Sequence, residues 1–234
     1  MKLAIMQPYF LPYLGYFQLI SAVDRFVFYD DVSFIKGGWI NRNRVLVQGK
    51  TSWITVPVSN GSSNVTIRDV MISDKWQFWT SKTLRTIAES YSKAPFFESV
   101  YGMFEYWLST EFRGIAELNL RICQDICSYL NINTVIVASS TIYGNSELSS
   151  VNRVLDICRR ENASSYVNAE GGRELYLRDI FFEKGIRLYF LSPELPQYDQ
   201  GKGGFVPGLS ILDLLMHNSA DSLHTMVQMG RIVD

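Results

Sequence analysis

Apolar and polar positions alternate along this chain in two different rhythms. Lys2 to Met6 is a short apolar run ended by a polar residue and a proline, which reads as a buried strand. From Tyr13 to Val23 the apolar Leu14, Phe17, Leu19 and Ile20 recur near helical spacing, so a helix is expected. Arg25 to Tyr29 reads as a second strand, closed by the acidic pair Asp30-Asp31. Arg44 to Gln48 and Ser52 to Val58 look like a hairpin turning at Gly49-Lys50, and Ser59 to Asn64 like an exposed loop. Helices are expected over Lys75 to Tyr91, Phe96 to Leu108 and Glu111 to Leu130, the first two parted at Ala94-Pro95.

Past residue 130 the strand–helix rhythm resumes. Thr134 to Ala138, Ser165 to Asn168 and Arg187 to Leu191 read as strands, and Glu147 to Glu161 and Glu174 to Glu183 as helices. A Pro/Gly-rich loop runs from Ser192 to Gly208. Ser210 then caps a last helix, with Asp213 three residues on in the manner of a capping box. Strands alternating with helices predict an α/β fold with a mostly parallel, Rossmann-like sheet covered on both faces. One domain over residues 1–234 is expected, with a helical lobe inserted at about 75–130.

Composition narrows the classes. At 47% hydrophobic and 14% aromatic, the 234 residues suffice for a sizeable core and for recognition surfaces. A formal charge of −1 argues against a partner that is nucleic acid or an anionic membrane. No run of eighteen apolar residues predicts a membrane span, and the N-terminus lacks a signal-peptide pattern, so a cytoplasmic location is expected. Cys123 and Cys127, four apart on a helical stretch, fit a core face, and with distant histidines they make too few ligands for an expected metal site.

The chemistry gathers after the first two strands. In Gln7-Pro-Tyr-Phe-Leu-Pro-Tyr-Leu-Gly-Tyr16 a strand meets a helix N-terminus across a tight aromatic turn, where anions and nucleotides bind. Gly15 removes a side chain where the first helical turn meets a ligand or another backbone. Gln7, Tyr9, Tyr13 and Tyr16 are therefore binding candidates. Asp31, at a strand end, is a candidate general base; its alternative is a turn carboxylate pairing an arginine. In the segment Lys36 to Arg44, Trp39 offers a stacking face. Strand alternation puts Asn41 and Asn43 on one side, Arg42 and Arg44 on the other. The arginines suit phosphate or carboxylate, or pair with Asp30 and Asp31 in a plain charged hairpin.

Three further places qualify. Asn168, Gly171 and Gly172 stand between a strand and a helix, where glycines let a backbone approach closely. Tyr166 and Tyr176 frame such a pocket or simply pack. Lys202, in the Gly201–Gly204 loop, suits phosphate but needs none. His217 is a candidate base or a helix-end cap, and Ser210 a binding residue or a helix cap.

The blocks Gln7 to Ile20, Tyr29-Asp-Asp31 and Gly38-Trp-Ile-Asn-Arg-Asn-Arg44 resemble the WbqC-like family, bacterial proteins encoded among genes for cell-surface polysaccharides. Ala94-Pro-Phe-Phe97, Tyr166…Gly172 and Leu209 to Leu215 extend the resemblance over nearly the whole chain. Membership implies glycan assembly, including modification of amino sugars. The order strand, Tyr13-Leu-Gly-Tyr16, helix also looks like the HxGH region of nucleotidylyltransferases, with tyrosines in place of both histidines. A tyrosine donates a hydrogen bond but carries no positive charge at neutral pH.

The leading expectation is a transferase that acylates or aminoacylates the amino group of a nucleotide-linked sugar. In it Asp31 or His217 is the base, Asn41 and Asn43 are oxyanion or sugar contacts, and Arg42 or Arg44 holds phosphate. The donor is an acyl or aminoacyl carrier or ATP, and the small-molecule partner a nucleotide sugar. The alternatives are an ATP- or CTP-dependent nucleotidylyltransferase or ligase, and a non-catalytic binding protein. Homo-oligomerisation stays open.

Overall fold

The computed structural model describes residues 1–148, 150–201 and 203–234. Their strands are β1 (Lys2–Met6), β2 (Arg25–Phe28), β3 (Arg42–Val47), β4 (Lys50–Thr55), β5 (Val135–Val137), β6 (Ser165–Ala169), β7 (Arg187–Ser192) and β8 (Arg231–Val233). The α-helices are α1 (Leu14–Ser21), α2 (Trp76–Tyr91), α3 (Phe97–Ser109), α4 (Ile115–Tyr129), α5 (Ser150–Arg160), α6 (Arg178–Phe182), α7 (Ile211–His217) and α8 (Ala220–Val227).

Six strands form one sheet in the order β5-β2-β1-β6-β7-β8, and β3-β4 form a separate hairpin. All pairs in the large sheet are parallel except β7 with the short terminal β8. The fold is thus α/β with a mostly parallel, Rossmann-like sheet. Strand β1 is first in the chain yet lies inside the sheet. The chain builds outward through β2 and β5, then returns to β1's other side with β6 and β7. The reversal between β1 and β6 is the switch point of a doubly wound sheet, and ligands of such sheets bind outside the strand ends there.

Period-two alternation gives each face its own core. Ala4, Phe26, Phe28, Val167 and Leu191 join α1, α4, α7 and α8 in the larger cluster. Leu3, Ile5, Val27, Tyr166, Leu188 and Phe190 pack with Val154, Leu155, Ile157 and Cys158 of α5 and Phe181 of α6. Such near-continuous apolar strands belong to a sheet buried on both sides. The helices α2 to α4 lie in the long connection from β2 to β5, with α2 against β3 and α3 against α7. Cys123 and Cys127 are buried on α4. Among the described residues no helix is long and apolar enough to cross a membrane.

Four local expectations change. The hairpin turns one residue early, at Gln48-Gly49, because both adopt positive φ (51° and 75°), the backbone a two-residue turn needs. The helix expected from Glu174 starts at Arg178, and Glu170–Leu175 forms a 3-10 turn. The last helix breaks at Asn218, whose backbone is extended, and Ser219 caps α8 through the Ser222 N–H. Ser210 does cap α7, but Asp213 closes no capping box; its carboxylate turns into the core toward Tyr91 and Tyr198.

Candidate functional site

The loop from Gln7 to Tyr13 is held from every side. Phe10 N–H donates to the Trp39 carbonyl at 3.0 Å. The Asn43 amide donates to the carbonyls of Phe10 (3.1 Å) and Leu11 (2.7 Å), and the Ser210 hydroxyl reaches Leu11 at 2.9 Å. Asn119 donates to Pro8 and Ile40, and the Tyr16 hydroxyl to Gln7. Leu11 sits at φ +43°, a conformation that costs about 1–3 kcal/mol outside glycine and persists only when neighbours over-determine it. Asn43, Ser210 and Tyr16 therefore frame the turn, with their polar atoms directed at its carbonyls. Asn41 is buried elsewhere, donating to the Val56 carbonyl at 2.9 Å. Gln7, Tyr9 and Tyr13 remain half-buried at its mouth. Burial raises the Tyr9 and Tyr13 pKa values, which keeps both hydroxyls as donors. The close approach expected at Gly15 is present: a Cβ there would stand 2.5 Å from the Tyr13 ring.

The acidic pair divides into two environments. Asp31 meets the buried Arg153 of α5 at 2.5 Å and accepts from the Ser140 hydroxyl, so both its oxygens are engaged. Arg153 also lies 4.8 Å from the Tyr29 ring centroid and donates to Asn145. Asp30 is 6% exposed. Its Oδ1 accepts from the Ser139 hydroxyl (2.8 Å) and Ser140 N–H (3.1 Å), while Oδ2 has no hydrogen-bond partner among the described residues. Desolvation by burial raises its pKa, with the serine bonds pulling the other way. A buried carboxyl whose pKa is raised, with one oxygen fixed by serines, is a candidate to exchange a proton.

At the end of β6, Asn168 Oδ1 accepts from Ala169 N–H at 2.9 Å, leaving its Nδ2 to donate elsewhere. A Cβ on Gly172 would fall 2.2 Å from that Nδ2, so any side chain there would force Asn168 to move. Gly171 has open space around its Cβ position. Tyr166 stacks on Phe181 in the core, and Tyr176 packs edge-on against both.

The remaining candidates stand apart. Arg42 and Arg44 face outward on β3 with Trp39 nearby. His217 Nδ1 lies 2.9 Å from the Asp213 carbonyl, and its ring packs against Tyr91 and Tyr198. The Asp213 carboxylate there is wholly buried and accepts from Tyr91 (2.7 Å) and Tyr198 (2.6 Å). Asp31 pairs with α5 on one face of the sheet and His217 belongs to α7 on the other, so the two candidate bases do not share a site. Lys202 lies outside the described residues. Burial pushes the Cys158 thiol up to about 12, which disfavours the nucleophilic thiolate.

The ends of β1, β2 and β6 carry Gln7, Asp30 and Asn168 respectively, and Tyr9 and Tyr13 lie in the loop that follows β1. Strands β2 and β6 flank β1, so their ends are about two strand spacings, roughly 10 Å, apart. Sequence reasoning missed Arg153, Asn119, Tyr91 and Tyr198, each one polar residue within an otherwise ordinary helical or loop pattern. Ser139-Ser140, directly after the apolar TVIVA run, was a readable signal: a hydroxyl pair at a strand end. Among the described residues no group of three or more His, Cys, Asp or Glu is arranged to hold a metal ion.

Residues 7–225 match the WbqC-like protein family. The Mycobacterium tuberculosis (strain ATCC 25618 / H37Rv) protein named Uncharacterized protein Rv1507c is 34% identical over 224 residues, covering 94% of this chain and 95% of that one. No solved structure matches. On the extent of both matches, the chain belongs to the WbqC-like protein family.

Proposed function

We propose that the chain is a transferase that passes an acyl or aminoacyl group to the amine of a nucleotide-linked sugar. Its site is the crevice at the ends of β1, β2 and β6. The observation that carries this reading is Asp30: a buried carboxyl with raised pKa at the end of β2, its Oδ1 fixed by two serines and its Oδ2 with no side-chain partner among the described residues. Asp30 replaces Asp31 as the base, because Arg153 and Ser140 occupy Asp31. In the step, the amine nitrogen bonds the acyl carbon and the leaving group departs with its bonding pair. The nitrogen's proton goes to Asp30. Asn168 Nδ2 and the Tyr9 and Tyr13 hydroxyls supply donors for the oxyanion or the diphosphate. The Asn43 amide is spent on the Phe10 and Leu11 carbonyls and the Asn41 amide on Val56, so neither is assigned to substrate.

The strand order favours a second reading, nucleotidyl transfer from ATP or CTP, since a switch point between β1 and β6 suits a nucleotide in either case. Against it, the Tyr16 hydroxyl is bonded to the Gln7 carbonyl and its ring is buried, so it holds no triphosphate. Thermal-shift screening with UDP- and dTDP-amino sugars, ATP, CTP and acyl or aminoacyl donors separates the two. Stabilisation by a nucleotide sugar supports the transferase. Stabilisation by ATP or CTP alone supports nucleotidyl transfer.

A further inference from the structure

Arg42, Arg44 and Trp53 of the β3–β4 hairpin and Trp39 just before it form a row of side chains outside the hydrophobic core. Arg44 lies directly across from Trp53 in the antiparallel register. Trp53 and Trp39 are neighbours, with ring centroids 5.4 Å apart at 39°, and both are exposed, at 48% and 40%. A guanidinium closes each end: Arg42 sits 4.2 Å from the Trp53 centroid and Arg44 5.8 Å from that of Trp39. Backbone carbonyls position both, Gly37 and Gly38 for Arg42 and Gly208 for Arg44. Among the described residues neither arginine makes an ion pair.

Two neighbouring indoles left in water are an uncommon use of apolar surface, and the surrounding charge is equally one-sided. From Val32 to Thr55, the span that holds the hairpin, the chain has four cations, Lys36, Arg42, Arg44 and Lys50, and no carboxylate, within a protein of net charge −1. This local positive field attracts an anion. The rings are too close to admit a flat group between them, since a sandwiched ring needs about 7 Å between its neighbours. A ligand must therefore lie along the solvent-exposed parts of the two indoles, beside the Arg42 guanidinium that covers the Trp53 ring. Sugar rings do this with their C–H faces while hydroxyls bond water or the exposed Thr51 and Thr55.

We propose that Arg42, Trp53, Trp39 and Arg44 form a binding platform for an acidic saccharide, whose sugar faces rest on the indoles and whose anionic groups meet the guanidinium N–H groups. The platform adjoins the crevice, because the Trp39 carbonyl holds Phe10 and the Arg44 carbonyl accepts from Ser210. It stands on its own geometry and requires no transfer reaction.

Isothermal titration of the full chain with an oligogalacturonate hexamer tests the platform, with maltohexaose and inorganic polyphosphate alongside. Binding of the acidic hexamer that exceeds both controls and falls roughly tenfold in Trp53→Ala is the expected result. Trp53 is half in solvent, so the variant's melting temperature verifies its fold, and Trp53→Phe should recover part of the affinity. No binding of the hexamer, unchanged affinity in Trp53→Ala, or equal binding of polyphosphate would each overturn the proposal. Because the readout is equilibrium binding, its failure leaves the crevice reading standing, and the converse also holds.

Discussion

Arg153 of α5 and Asp31 after β2 form a buried ion pair at 2.5 Å that ties a covering helix to the strand end where the candidate site begins. A charge buried in this way depends on its partner. Removing one member strands the other, which costs about 3–5 kcal/mol. Arg153→Met should lower unfolding free energy by that amount in urea denaturation. Adding Asp31→Asn should restore part of the loss.

The Asn43 amide offers a second test of the frame. Its Nδ2 serves two buried carbonyls, one on the positive-φ residue Leu11. Asn43→Ala leaves the Phe10 carbonyl to find another partner while Leu11 keeps the Ser210 hydroxyl, at about 1–2 kcal/mol. Hydrogen exchange should show amides of residues 8–13 opening faster in the variant than those of β6 and β7.

Asp30 links stability to pH. Its folded pKa is raised above the ordinary 3.8, so the folded state holds its proton more tightly than the unfolded one. The stability this contributes is fully present below pH 3.8 and is lost as pH rises through the folded value. Asp30→Asn removes that dependence. Its unfolding free energy should therefore fall less than the parent's between pH 3.8 and neutrality, measured by denaturant titration at stepped pH.

Gly172 and Gly171 separate packing from turn chemistry. Alanine at 172 collides with Asn168 Nδ2, whereas alanine at 171 meets open space. Gly172→Ala should lower the melting temperature by several degrees and weaken ligand binding in the crevice. Gly171→Ala should leave the melting temperature within about a degree of the parent's, as for an uncrowded surface change.

Much of this fold was legible. The runs at Lys2–Met6, Arg25–Phe28 and Arg187–Ser192 are apolar on both faces and bounded by turns, as strands of a covered parallel sheet must be. Strand β8 was not legible, because three residues hold no periodicity. Strand alternation correctly separated Asn41 and Asn43 from Arg42 and Arg44. It did not reveal that Asn43 holds the Gln7–Tyr13 turn, since that depends on contacts about thirty residues distant. The acidic pair drew attention as a pair. Which member is free follows only from Arg153, more than a hundred residues away, and from Ser139-Ser140.

The most direct measurement of the transferase reading is single-turnover transfer from an acyl or aminoacyl donor to a UDP- or dTDP-linked amino sugar, in the parent and in Asp30→Asn. Asparagine can still accept from Ser139 and Ser140, so the site keeps its shape and loses only its base. The account predicts nucleotide-sugar affinity within a few-fold of the parent's and a transfer rate lower by roughly 10²–10⁴. A variant that transfers at the parent's rate would contradict it.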